Sequence, residues 1–251
     1  MRLFCILIPR TVRSVLLILG AVSGLPVSLG SLLHGSGIPL ASVSTCWAAT
    51  KTDAGFIIAR LKYKGGGDWY GNATSLRNLM NALRVRGNVV VKADKEATVE
   101  IMDGDLFNHP FLFMSGHGTV RFTQKEAERL RSYLLKGGFL FADDDYGMDK
   151  TFREEMKRVF PEKDLIELPF NHKIYHSFYD FPNGPPKIHE HDGKPPQGLA
   201  IVDKGRVLVF YTYETDIGDG LEDADIHNDP PEKREAALRM AINIVTYALT
   251  D

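Results

Sequence analysis

Short apolar runs alternate along the chain with amphipathic stretches, and that rhythm predicts an α/β domain. Phe56-Ile-Ile-Ala-Arg-Leu61 is a near-continuous apolar run, as expected of a buried first strand. Leu76, Leu79, Met80 and Leu83 then recur at helical spacing, with Thr74 or Ser75 as the cap and Gly87 as the stop. Val89-Val90-Val91 predicts a second strand and residues 98–101 a short one, followed by a loop or single helical turn over 103–110. Phe111 to Ser115 is the next strand. Thr123-Gln-Lys-Glu126 has capping-box spacing, so a helix follows, with Ala127, Leu130, Leu134 and Leu135 inward. Gly137-Gly138 supplies the stop and Phe139 to Ala142 another strand.

The second half is less regular. Phe152 to Phe160 predicts a helix ended by Pro161, and Leu165-Ile166-Glu167 a short strand. Residues 169–197, rich in Pro, Gly, His and aromatics, form a long excursion of the kind that tends to carry function. Residues 198–202 and 206–211 pair as a hairpin across Asp203-Lys204-Gly205. A solvated acidic loop spans 215–229. Pro231 opens a last helix, with Ala236, Leu238, Ile242, Val245 and Leu249 as its buried set. The β-α-β-α-β order predicts a three-layer sandwich: a mostly parallel, flavodoxin-like sheet with helices on both faces. Ligands of such sheets bind beyond the carboxyl ends of the strands.

The first 49 residues stand outside this pattern. Arg2, Arg10 and Arg13 precede an uncharged stretch from Ser14 to Thr50, which ends in Cys46-Trp47-Ala48-Ala49. A basic start, an apolar run and small residues at the end predict a signal peptide. An uncleaved membrane anchor is the alternative, although Gly20, Gly24, Pro26 and Gly30 make a poor spanning helix. Residues 50–251 then form one domain, exported and periplasmic or membrane-anchored facing the periplasm. The whole chain has 251 residues, 44% hydrophobic and 25% charged, with a net charge of −2. Loss of the three leader arginines leaves 27 basic residues against 32 acidic ones, or −5. With no basic stripe, nucleic acid is not the expected partner. Both cysteines, Cys5 and Cys46, lie in the leader, so the remaining chain has neither disulfides nor thiolate nucleophiles.

Candidate chemistry gathers at predicted strand ends. Ser115-Gly116-His117-Gly118 exposes a histidine able to act as a base or ligand; Ser115 lacks the Gly-x-Ser-x-Gly spacing of a nucleophile elbow. Asp143-Asp144-Asp145 follows the neighbouring strand. Three successive carboxylates repel unless a cation or donors neutralise them, which suits Mg²⁺, Mn²⁺ or Ca²⁺. Alternation sends Asp143 and Asp145 one way and Asp144 the other. Asp216 follows the Phe210-Tyr-Thr-Tyr213 run, and Asp68-Trp69 follows the first strand, with Trp69 as a stacking surface. His172 and His176 lie four apart and His189 and His191 two apart. With Glu190 and Asp192 they can complete a His/carboxylate metal site, although loop histidines are more often plain surface residues.

Taken together, Asp68-Trp69, the 110–118 block, Leu130-Arg-Ser-Tyr-Leu134, the 137–144 block, Phe152-Arg153, Phe160-Pro161, His172, Gly205-Arg206, Asp216 and the 243–249 run resemble the bacterial family called domain of unknown function 4159. The resemblance covers about residues 55–250. It implies a fold similar to class I glutamine-amidotransferase-like and trehalose-utilisation-like domains, but the amidotransferase elbow cysteine has no counterpart here. The activity of the family is unassigned, so analogy of fold does not supply a reaction. The expectation is a ligand- or partner-binding module of the cell envelope, binding through Asp68, Trp69, His117, Asp144 and Asp216. The alternative is a hydrolase using His117, Asp144 and His172, with a divalent metal on Asp143, Asp144, Asp145 or His172.

Overall fold

The computed structural model describes residues 55–87, 89–92 and 95–251. The expected leader and both cysteines lie outside these residues. Seven strands form one sheet in the order β2-β1-β3-β4-β7-β6-β5. Five are parallel: β2 (Ala97–Glu100), β1 (Ala59–Lys62), β3 (Phe111–His117), β4 (Phe139–Tyr146) and β7 (Arg206–Tyr213). The hairpin partner β6 (Gln197–Asp203) and the edge strand β5 (Ile166–Glu167) add antiparallel pairs. The chain is therefore an α/β protein with a mostly parallel sheet. Strand order reverses between β1 and β3, which makes their carboxyl ends a topological switch point.

The central strands are apolar on both sides, as parallel strands covered on both faces must be. Phe111, Phe113, Phe139, Phe141 and Phe210 share one core with α1 (Ser75–Val85) and α6 (Pro231–Thr250). Leu112, Met114, Leu140, Ala142 and Tyr211 share the other with α2 (Gln124–Leu135) and α3 (Asp149–Val159). The capping box of α2 forms as expected: the Glu126 amide donates to the Thr123 hydroxyl, and the Glu126 carboxylate accepts from the Thr123 amide.

Five expectations need correction. In α2, Leu135 is exposed at the end of the helix and Tyr133 is buried in its place beside Ala127, Leu130 and Leu134. Residues 89–91 make only an isolated parallel bridge, Val91 to Phe56, because β2 takes over pairing with β1 from Ala59 onward. The Thr74 hydroxyl does not cap its own helix; it accepts from the Asp223 amide and meets Glu222. In α6, Ala237, Met240, Ala241 and Ile244 are buried alongside Ile242 and Val245, whereas Ala236, Leu238 and Leu249 are only partly covered. Finally, β4 does not stop at Ala142 but runs on through all three aspartates, since donors from other elements satisfy them there.

Candidate functional site

The extension of β4 puts three carboxylates inside the protein, each under 4% exposed. The pleat separates them as the sequence predicts. Asp143 lies on the α1/α6 side, where Thr212 and Thr215 donate hydroxyls to its Oδ1 and the Gly218 amide donates to Oδ2 at 2.6 Å. A Cβ at Gly218 would stand 2.2 Å from Asn72 Nδ2, so any larger residue there displaces the Asn72 amide. Burial pushes the Asp143 carboxyl up to about 7 against the pull of these donors. Asp145 receives Asn72 Nδ2 at 3.1 Å on each oxygen. Burial, then repulsion from Asp143, Asp219 and Asp216, drives it well above the usual carboxylate range.

Asp144 faces the opposite way. Its Oδ1 accepts the Met148 amide at 2.9 Å, holding the chain at the entry to α3, and Tyr211 donates to Oδ2 at 3.2 Å. Burial raises its pKa as well. Beyond it opens a cleft of ≈ 330 Å³ at the carboxyl ends of β4 and β7, bounded by Asp144, Tyr146, Lys150, His191, Lys194 and Tyr213. His191 stacks flat on Tyr146 with ring centres 4.9 Å apart. Lys194 is held by the Tyr213 hydroxyl at 2.7 Å.

Next to this cleft, the acidic segment proves not to be a solvated loop. Asp216, Asp219 and Glu222 are buried, and two short helices, α4 (Ile217–Gly220) and α5 (Ala224–His227), order the segment. Glu214 and Asp216 have φ of 60° and 55°, a left-handed conformation costly for residues with a Cβ. That backbone aims Glu214 at Lys187 (3.1 Å) and Asp216 at His189 Nδ1 (2.9 Å). The Ile188 amide donates to Thr215 O at 2.7 Å and fixes the histidine segment in register with the acidic one. His189 Nδ1 also meets Asp219 Oδ2 at 3.3 Å, while its Nε2 meets Asp229 at 3.0 Å. His227 Nε2 lies 3.0 Å from Glu222 and 3.7 Å from Asp219 Oδ2. Bonds to Asp216 and Asp219 push His189 up to about 10. His191 Nε2 stands 2.7 Å from Asp216 Oδ1, yet neither atom makes a hydrogen bond. The two atoms are in close contact without the geometry of a hydrogen bond.

Asp68 and His117 meet at the switch point between β1 and β3. The His117 amide and Nδ1 both face the Asp68 carboxylate, the latter at 3.2 Å. Gly116, at φ 142°, is required there: a Cβ would sit 2.5 Å from Tyr63 Oη and 2.8 Å from Asp68 Oδ1. Trp69 packs edge-on against Tyr70, with Lys62 over its ring. His172 is not part of this edge. Its Nδ1 accepts the Ile174 amide, and its ring lies 5.6 Å from Tyr247, whose hydroxyl accepts from Val207 at the start of β7. It therefore sits at the amino edge, as the cap of a single 3₁₀ turn, Lys173–Tyr175.

The structure thus brings Asp68, His117, Asp143, Asp144, Asp145 and Asp216 to the carboxyl edge and leaves His172 at the other. It brings His189 and His191 to the same edge and adds Asn72, in a loop, and Asp219 and His227, in the short helices α4 and α5, none of which has a periodic signal. The two-residue spacing of His189 and His191 was the one hint. These features define an α/β domain with a polar carboxyl-edge site. The chain belongs to the family described as domain of unknown function (DUF4159), whose profile matches residues 57–249. A search of the curated proteins finds no match.

Proposed function

We propose that this chain is an exported ligand-binding module of the bacterial cell envelope, a three-layer, flavodoxin-like domain similar in fold to glutamine-amidotransferase-like domains. The observation that carries the reading is the ≈ 330 Å³ cleft at the carboxyl ends of β4 and β7. Its size suits a small molecule. Its lining pairs Lys150 and Lys194 with Asp144, Asp149 and Asp192, beside the rings of Tyr146 and Tyr213. Groups of both charge signs favour a ligand with an acidic and a basic end, an amino acid or short peptide. Binding rather than turnover is favoured because Ser115 Oγ faces the Asn72 amide at 3.5 Å, a group unable to take its proton.

The test is a thermal-shift and calorimetric screen of the full chain against amino acids and di- and tripeptides, beside Lys194→Ala. Ligand at a hundred times its dissociation constant adds about 2.7 kcal/mol to stability. Saturable stabilisation, lost in Lys194→Ala and without product release, supports the module. If no member of the panel stabilises the protein, the reading fails. The second reading, a hydrolase with metal-activated water, is favoured by the His189–Asp219–His227 grouping. Release of amino acids from the same peptides would establish it instead.

A further inference from the structure

We propose that His189, Asp219 and His227 bind one divalent d-block cation of the Zn²⁺ type, with Asp216 beside them. The proposal stands independently of the cleft's ligand. One ligand atom from each of the three residues lies within 4.8 Å of the others. Asp219 Oδ2 is bracketed by His189 Nδ1 at 3.3 Å and His227 Nε2 at 3.7 Å. Donor atoms about 2.0–2.2 Å from a tetrahedral zinc lie roughly 3.3 Å apart, so these three need little movement to close on an ion.

The His189 imidazole is also oriented for it, while His227 Nε2 is shared between Glu222 at 3.0 Å and Asp219 at 3.7 Å. His189 Nε2 faces the Asp229 carboxylate at 3.0 and 3.1 Å, which fixes the proton on that nitrogen and turns the Nδ1 lone pair toward Asp219 and Asp216. A carboxylate behind a ligating histidine is the usual outer support of a metal site. With Nε2 so committed, an Nδ1 lone pair aimed at two carboxylates is repelled unless a cation lies between them. That cation is a second proton or a metal.

Asp216 brings a second buried carboxylate to the cluster: it is 1% exposed, its Oδ2 faces His189 Nδ1 at 2.9 Å, and its Oδ1 lies 2.7 Å from His191 Nε2. A buried carboxylate is costly unless positive charge stands beside it. Two imidazole nitrogens with carboxylates favour Zn²⁺, Co²⁺ or Ni²⁺ over Mg²⁺ and Ca²⁺, which take oxygen-only shells.

The experiment uses the untagged full chain, stripped with chelator and titrated calorimetrically with Zn²⁺ and, separately, Mg²⁺. Metal content is measured by mass spectrometry and the Co²⁺ form by visible absorption. The expected result is one Zn²⁺ per chain, no competition from Mg²⁺, and Co²⁺ bands of low-symmetry nitrogen–oxygen coordination. His227→Gln and Asp219→Asn each weaken Zn²⁺ at least about tenfold, and His176→Gln leaves it unchanged. His227 is partly exposed, so His227→Gln should fold; the circular dichroism of the stripped proteins checks this. Absence of stoichiometric Zn²⁺, or undiminished binding in folded His227→Gln, overturns the proposal and leaves the cluster as histidinium–carboxylate pairs.

Discussion

Asn72→Ala is the sharpest probe of the buried acids. The Asn72 amide is the donor to both oxygens of Asp145, at 3.1 Å each, and Asp145 is 1% exposed. Truncation leaves a buried carboxylate without its donor, which costs about 2–3 kcal/mol. Asn72 also has a φ of 56°, where alanine costs about 1 kcal/mol more. Arg60 does not compensate fully, since its guanidinium is engaged by the Gly71 and Asn72 carbonyls at 2.7 and 2.9 Å. The expected loss at pH 8 is about 3 kcal/mol, a Tm drop of about 6–12 °C for a domain of this size. Asn72→Gly, which tolerates the backbone, should recover about 1 kcal/mol of it.

The loss should depend on pH with a defined sign. Asp145 holds its proton more tightly folded than unfolded, so its contribution is intact below 3.8 and lost as pH rises through the raised folded value. Removing the Asn72 donor raises that value further. The added destabilisation therefore grows toward the alkaline side and is smaller at pH 5 than at pH 8. Urea unfolding of both proteins at pH 5 and pH 8 reads this directly. A loss below 1 kcal/mol at pH 8, or an equal loss at both pH values, would refute the reasoning.

Further outcomes follow from the same geometry. Gly116→Ala drives a Cβ onto Tyr63 Oη and Asp68 Oδ1 and should cost about 2–4 kcal/mol, read as Tm. Thr123→Ala removes half of the α2 capping box and should lower the urea midpoint by the equivalent of about 1 kcal/mol. In chelator-treated protein, stability should fall from slightly acidic to alkaline pH. The Asp143 part is lost between 3.8 and about 7, and the His189 part between 6.5 and about 10, since both groups bind their protons more tightly when folded. His189→Gln should flatten the upper limb; a midpoint that rises steadily from pH 5 to 9 contradicts both assignments.

The fold was legible where a signal is local. The Thr123–Glu126 spacing, the Phe-rich runs of β3 and β4 and the Asp203–Gly205 turn each specify their element within about ten residues. The site was not, because its geometry is made by contacts between distant segments. Asp143-Asp144-Asp145 reads from sequence as a polar strand end that a cation or hydrogen-bond donors must neutralise. Whether it is a strand depends on Thr212, Thr215, Gly218 and Asn72, and nothing near residue 143 announces those donors. The same holds for residues 215–229, whose acidity resembles a solvated loop until His189 is placed against it and its own His227 turns back onto Glu222. His172 fails for the converse reason: its type is right for chemistry, but the chain carries it to the amino edge. Residue type and strand-end position located the edge of the sheet that carries the polar groups. Which histidines share it was decided by the Ile188–Thr215 backbone bond, which carries no side-chain signature at all.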